Sequence, residues 1–240
     1  MPSVSVKPAG KPIDPDELSD EHGEYLVKLA RRALEYYFRN RKPMPVPRDA
    51  PEILYRPGAV FVTIETYYPD GRRELRGCIG ITRPFYPLVE ATIQSAYSSA
   101  FNDPRFPPLE EYELDQVTFE VSVLSDYEYL GDTPGERLEN VVIGRDGLVV
   151  ERGEYSGLLL PSVPVDHLWD RATFLAETCV KAGLWPDCWL DRETRVYRYR
   201  ARVWREKTPM GPVEARSLRH EYLSSLARAG VDAERLEKAP

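Results

Sequence analysis

Apolar residues first recur at helical spacing in the stretch after Ser19. Leu26, Leu29, Ala30, Ala33, Tyr37 and Phe38 fall on one face and predict a helix from Ser19 or Asp20 to about Asn40. Residues 42–57 hold five prolines and predict an extended connection. Residues 58–67 alternate as a strand, Pro69-Asp70-Gly71 signals a turn, and 74–82 reads as the returning strand. A helix over 87–101 follows, with Pro87 at its start and Val89, Ile93, Ala96, Tyr97 and Ala100 as its apolar stripe. The run from Asn102 to Pro108 ends it as a rigid loop.

Residues 116–124 alternate cleanly, with Val117, Phe119, Val121 and Val123 on one face. A second hairpin is predicted for 147–151 and 157–161 around Arg152-Gly153-Glu154. A helix over 168–182 stops at Gly183. A strand is predicted over 195–204 and a helix over 213–229. Hairpins separated by irregularly placed helices, without repeating βαβ units, predict an α+β fold with antiparallel sheets flanked by helices. The proline-rich connections are compatible with two packed subdomains, whose boundary the pattern leaves open. Residues 1–16, rich in Pro and Lys, are expected to be a disordered tail.

Composition narrows the function classes. With 42% hydrophobic and 30% charged residues the chain reads as a folded soluble protein. No apolar run reaches the length of a membrane span, and residues 1–11 lack a signal-peptide core. A cytoplasmic location is therefore expected. Three cysteines without paired spacing fit a reducing compartment better than a disulfide framework. The net charge of −7 makes nucleic-acid binding unexpected. Arg195, Arg198, Arg200, Arg202, Arg205 and Lys207 cluster near one strand, most simply as a solvated sheet face.

The densest candidate chemistry is Leu75-Arg76-Gly77-Cys78-Ile79-Gly80. With Asp70-Gly71 as a two-residue loop, Thr63 falls opposite Cys78 and Glu65 opposite Arg76. Val62 then meets Ile79, and Val60 meets Ile81, on the other face. Arg76 and Cys78 share a face about 7 Å apart, close enough for the guanidinium to favour a thiolate, although Glu65 would partly cancel that effect. A helix of 14 residues running back over its strand would bring its far end within roughly 10 Å of Cys78. That end carries Asp103 and Arg105. In the enzymatic reading Cys78 is a nucleophile, Arg105 binds an anionic group of the substrate and Asp103 holds Arg105. His167 is then the general base, although no spacing brings it near Cys78. In the alternative reading Cys78 is a small apolar filler and Asp103-Pro104-Arg105 is a helix stop with an ion pair. No glycine loop of nucleotide-binding type and no metal-ligand spacing is present, so no cofactor or metal is expected. Cys179 falls on an apolar helical stripe and reads as core.

Four segments make the chain resemble the AMMECR family: Leu75 to Gly80, Asp103 to Pro108, Gly157 to Pro161 with Val163-Pro164, and Phe174 to Leu184. The likeness spans about residues 20 to 205. It implies an AMMECR domain over 17–206 made of two unequal packed subdomains; the tails lie outside the likeness, and the helix read over 213–229 makes 207–240 a C-terminal helical extension. It implies association with Memo-like or radical SAM proteins, and it supplies no reaction. Ser162 departs from the glutamine that the family usually carries after the proline. Two functions follow as expectations. One is a cysteine-dependent enzyme acting on a small or peptide-like anionic substrate. The other is a non-catalytic module that docks on such a partner through the rims Phe106-Pro107-Pro108 and 161–164.

Overall fold

The computed structural model describes residues 10–231. The chain divides into two compact units, one made of residues up to Ser125 with Arg202–Arg216, the other of Asp126–Ala201 with residues from Ser217 on. The fold is α+β, with helices beside antiparallel strands.

The first unit begins with a short 3-10 turn, Pro15–Glu17, capped by Asp14, and Ile13 is buried beside it. Ile13 and Pro15 are thus buried, in a part of the chain expected to be a disordered tail, while Gly10, Lys11 and Asp16 are exposed; residues 1–9 lie outside the described ones. Helix α1 spans Asp20–Asn40. Ser19 caps it in a box with His22, each side chain accepting the other's backbone N–H. Its buried stripe holds the expected residues except Tyr37, which is half-buried, and is extended by Gly23, Val27, Leu34 and the charged Arg31.

Strands β1 (Ala59–Tyr67) and β2 (Arg73–Ile81) form the hairpin, and β3 (Val117–Leu124) pairs with the other side of β1. Helix α2 (Leu88–Phe101) packs on β1 and β2. Val60, Val62, Ile64, Phe119, Val121 and Val123 bury the face turned to the helices. Burying each such side chain stabilises by roughly 1.5–3 kcal/mol. The connection before β1 is less extended than expected, because Glu52–Tyr55 forms a 3-10 turn that buries Leu54.

The hairpin register matches the expected pairs from Val60↔Ile81 to Thr63↔Cys78, and differs nearer the turn. Tyr68 N–H bonds to the Arg72 carbonyl and Gly71 N–H to the Tyr68 carbonyl, so the loop is the three residues Pro69-Asp70-Gly71. Gly71 takes the left-handed conformation, φ 85°, that such loops require. The one-residue difference is absorbed by a bulge. Ile64 pairs with Gly77 and Glu65 with Leu75, which leaves Arg76 as the extra residue. Arg76 is therefore not opposite Glu65.

In the second unit β5 (Asp146–Arg152) pairs with β6 (Tyr155–Leu159) on one side and with the first half of β7 (Arg195–Glu206) on the other. The short strand β4 (Glu128–Tyr129) also pairs with β7. Helices α3 (Pro134–Asn140), α4 (Ser162–Asp166) and α5 (Arg171–Lys181) complete the middle of the chain. The helix expected over 168–182 is α5, which starts later, at Arg171; Leu168, with φ 54°, lies between it and the additional short helix α4. The last elements do not form a separate helical extension. Strand β8 (Val213–Ala215) pairs with the end of β7 in the first unit, and α6 (Leu218–Arg228) belongs to the second.

Cys179 and Cys188 form a disulfide, contrary to the reading of three unpaired thiols. Both are fully buried, and the bridge ties α5 to the turn at Cys188–Leu190. Closing a loop of about ten residues is worth ~2–3 kcal/mol in the chain-entropy treatment. Cys188→Ser is expected to lower the unfolding free energy by that amount in urea. A midpoint equal to that of the wild type in non-reducing buffer would contradict the staple.

Candidate functional site

Strand β2 ends the strand order of its sheet, so the backbone of Cys78 faces outward rather than toward β1. Two side chains from the loop after α2 meet it. The Asp103 carboxylate accepts the Cys78 N–H through Oδ2 at 2.9 Å, and Arg105 Nη2 approaches the Cys78 carbonyl at 3.4 Å. Arg105 also grips Asp103 with both Nε, 2.9 Å to Oδ1, and Nη2, 2.7 Å to Oδ2. The Asp–Arg pair takes the place of a neighbouring strand at Cys78 and protects an open sheet edge. Asp103 is buried and Arg105 half exposed, with side-chain exposures of 1% and 44%. The Arg105 guanidinium is the main cause that brings the Asp103 carboxyl down to about 2, assisted by the backbone N–H groups of Cys78 and Arg105.

The helix that delivers this loop is seated by small residues. Ser99 Oγ accepts the Ile79 N–H at 2.8 Å and donates to the Val62 carbonyl at 2.6 Å. Its hydroxyl thus bridges paired residues of β1 and β2. Gly77 admits the close approach, since a Cβ there would land on the Ser99 carbonyl oxygen. Gly80 is as constrained: a Cβ there would strike the Phe61 ring and lie 2.5 Å from the Val60 carbonyl oxygen. Gly80→Ala is accordingly not the mild change that its position beside Cys78 suggests.

Arg76 is bound elsewhere than at the thiol. Its guanidinium grips the Glu113 carboxylate, Nε at 2.7 Å and Nη2 at 3.0 Å, and donates to the carbonyls of Pro107 and Pro108. The Cys78 thiol instead receives a hydrogen bond from Thr63 Oγ1 at 3.2 Å. Thr63 lies between Cys78 and Glu120 across the three strands, and Glu120 is paired with Arg216 at 3.0 Å with both side chains buried. Cys78 is half-buried, and the packing around it desolvates the thiol and pushes it up to about 11; the Thr63 bond and the positive charge of Arg105 offset this only in part. The expectation that Arg76 favours a thiolate is corrected: the bulge and Glu113 direct it to the proline carbonyls.

Cys78, Asp103 and Arg105 therefore come together, and Arg76 braces the same loop from its other end. His167 lies in the second unit, exposed and stacked on Trp169 with ring centroids 5.0 Å apart. Glu113, Glu120 and Ser99 were not singled out by sequence reasoning, which placed Thr63 opposite Cys78 without giving it the hydrogen bond to the thiol. Glu120 carried a signal, being the one charged residue of β3, but its partner lies 96 residues away. Among the described residues no group of three or more His, Cys, Asp or Glu is placed to hold a metal ion. No helix among them is long and apolar enough to cross a membrane.

The fold and the site define an α+β domain whose edge strand is braced at Cys78 by the loop after α2. The AMMECR1 family model matches residues 27–204, and the chain belongs to that family. It is 52% identical over 201 residues to a protein of Thermococcus gammatolerans, covering 84% of this chain and 98% of the relative. A protein of Aeropyrum pernix is 49% identical over 224 residues, 93% of this chain and 94% of the relative. The crystal structure of the uncharacterized protein PH0010 from Pyrococcus horikoshii superposes with a TM-score of 0.80 at 51% identity, covering 83% of this chain and 98% of that one.

Proposed function

We propose that the chain is a non-catalytic recognition module, and that the loop from Pro104 to Pro108 is its contact surface for a Memo-like or radical SAM protein. The observation that carries this reading is how the loop is held. Asp103 fastens its start to Cys78, and Arg76 fastens its end through the carbonyls of Pro107 and Pro108. Phe106 N–H bonds back to the Asp103 carbonyl and Leu109 N–H to Ala100. The residues between, Pro104, Arg105, Pro107 and Pro108, face solvent. A loop already fixed in one conformation loses little entropy on binding, which favours affinity. Leu75 and Tyr112, sequence neighbours of the bracing Arg76 and Glu113, are exposed as well and add apolar surface.

The enzymatic reading fits this site less well. A nucleophilic cysteine needs its thiolate, and the surroundings of Cys78 favour the protonated thiol. Arg105 keeps an exposed guanidinium for an anionic group on a partner, which the recognition reading also uses.

Binding of a purified Memo-like protein to immobilised chain tests the proposal. Pro107→Glu is expected to weaken binding about tenfold without lowering the melting temperature, because it changes only the exposed rim. Cys78→Ser is expected to bind as the wild type does. Equal affinity of Pro107→Glu and wild type would overturn the assignment of this rim.

A further inference from the structure

The connection between α1 and β1 opens on a segment with a period of its own. Over residues 41–50 every third residue, Met44, Pro47 and Ala50, is half-buried, and the others are exposed. A period of three belongs to the polyproline II helix. Pro43, Pro45 and Pro47 each fix the φ that this helix needs, and residues 43–47 lie in no α-helix or strand.

The covered edge is fastened to the first unit. Met44 and Ala50 pack against its core. The Tyr55 hydroxyl donates to the Pro47 carbonyl at 2.8 Å and accepts the Ala50 N–H at 3.2 Å. The other two edges are exposed. One carries Pro43 and Val46 and ends at Asp49. The other carries Lys42, Pro45 and Arg48, spread over about 19 Å at roughly 3.1 Å per residue. Among the described residues Lys42 and Arg48 form no ion pair, whereas the neighbouring Arg41 pairs with Glu111 at 3.7 Å. The ridge thus sets apolar groups between two unpaired cations, on a backbone already held in one conformation.

We propose that this ridge docks into a protein groove lined by aromatic rings, with carboxylates on its rim to meet Lys42 and Arg48. Grooves of this chemistry, as in SH3 and WW domains, take polyproline II segments because little ordering entropy remains to be lost. The rings receive Pro43, Pro45 and Val46. Charge complementarity selects the partner, since the ridge offers cations and no carboxylate before Asp49. The ridge shares no residue with the loop from Pro104 to Pro108, so the two surfaces stand or fall separately.

Titration calorimetry of the full chain against a panel of purified SH3 and WW domains with acidic rims tests the proposal. The expected result is saturable one-to-one binding to at least one of them. Pro45→Ala removes a ring and frees φ, and Arg48→Glu sets a carboxylate against the acidic rim; each is expected to weaken binding about tenfold. Both positions are exposed, so both variants are expected to melt with the wild type. Arg192→Glu makes the same charge change at an exposed site of the second unit and is expected to bind as the wild type does. Absence of saturable binding to every domain of the panel overturns the proposal. So does equal binding by the wild type and both ridge variants. Equal weakening by Arg48→Glu and Arg192→Glu also overturns it, because the attraction would then be one of general charge.

Discussion

Replacing Gly77 with valine is expected to destabilise the protein by about 3 kcal/mol, at the upper end of what overpacking causes. The backbone of Gly77 is ordinary extended strand, so the cost is steric rather than conformational. Its missing side chain leaves room for the Ser99 carbonyl oxygen, a backbone atom of α2 that cannot rotate aside. A Cβ would push α2 off the sheet and break the Ser99 bridge between Val62 and Ile79. The loop from Asp103 hangs from the end of that helix, so its grip on Cys78 would loosen as well. Urea unfolding checks this. A Gly77→Val midpoint equal to that of the wild type would contradict the packing of α2 on β2.

Glu206→Gln is expected to cost still more, about 3–5 kcal/mol, because it strands a buried charge. Arg31 bonds to both Glu206 oxygens, at 2.7 and 2.6 Å, and to the carbonyls of Leu114 and Val117; its guanidinium also lies over the Phe119 ring. Glu206 accepts the Phe119 N–H in addition. Both side chains are almost fully covered, so water cannot take over for the lost carboxylate. The double variant Arg31→Met with Glu206→Leu is expected to be more stable than the single one, since no lone charge remains. Unfolding midpoints of the single and double variants decide it. A single variant as stable as the wild type would show that the pair is better hydrated than its burial indicates.

Much of the first unit was legible in the sequence because its elements follow hydrophobic period. The stripe of α1, the alternation of β1 and β3 and the length of α2 placed the pieces. The length match between α2 and β2 also placed Asp103 and Arg105 beside Cys78. The position of Arg76 was not legible. The register assumed a two-residue turn, and the error of one residue was hidden by a bulge of one residue. Thr63 therefore still fell opposite Cys78 while Arg76 moved away. A bulge at Arg76 carries no local composition signal. Long-range polar partners were invisible for a related reason. Arg31 with Glu206, Glu120 with Arg216 and Arg76 with Glu113 are set by how distant elements pack, which no periodicity encodes. The disulfide escaped because a separation of nine matches no pairing motif. The end of the chain was misread because Val213–Ala215 is too short to show alternation, and only its pairing with β7 makes it a strand.

The reading of Cys78 as a braced structural thiol, rather than a nucleophile, is tested most directly by the pH dependence of its alkylation by iodoacetamide. In non-reducing buffer the Cys179–Cys188 bridge stays closed, and Cys78 is the one free cysteine. A thiol raised to about 11 holds its proton through neutral pH, and its reactivity climbs only in strongly alkaline buffer. Relative to free cysteine the thiolate fraction near pH 8 falls about a hundredfold, partly offset by greater nucleophilicity, for a net slowing of about tenfold. The expected result is that slow reaction, with no plateau below pH 9. A rate at or above that of free cysteine near neutrality, with an inflection at or below the ordinary thiol value of 9.0, would contradict it and return Cys78 to the role of nucleophile.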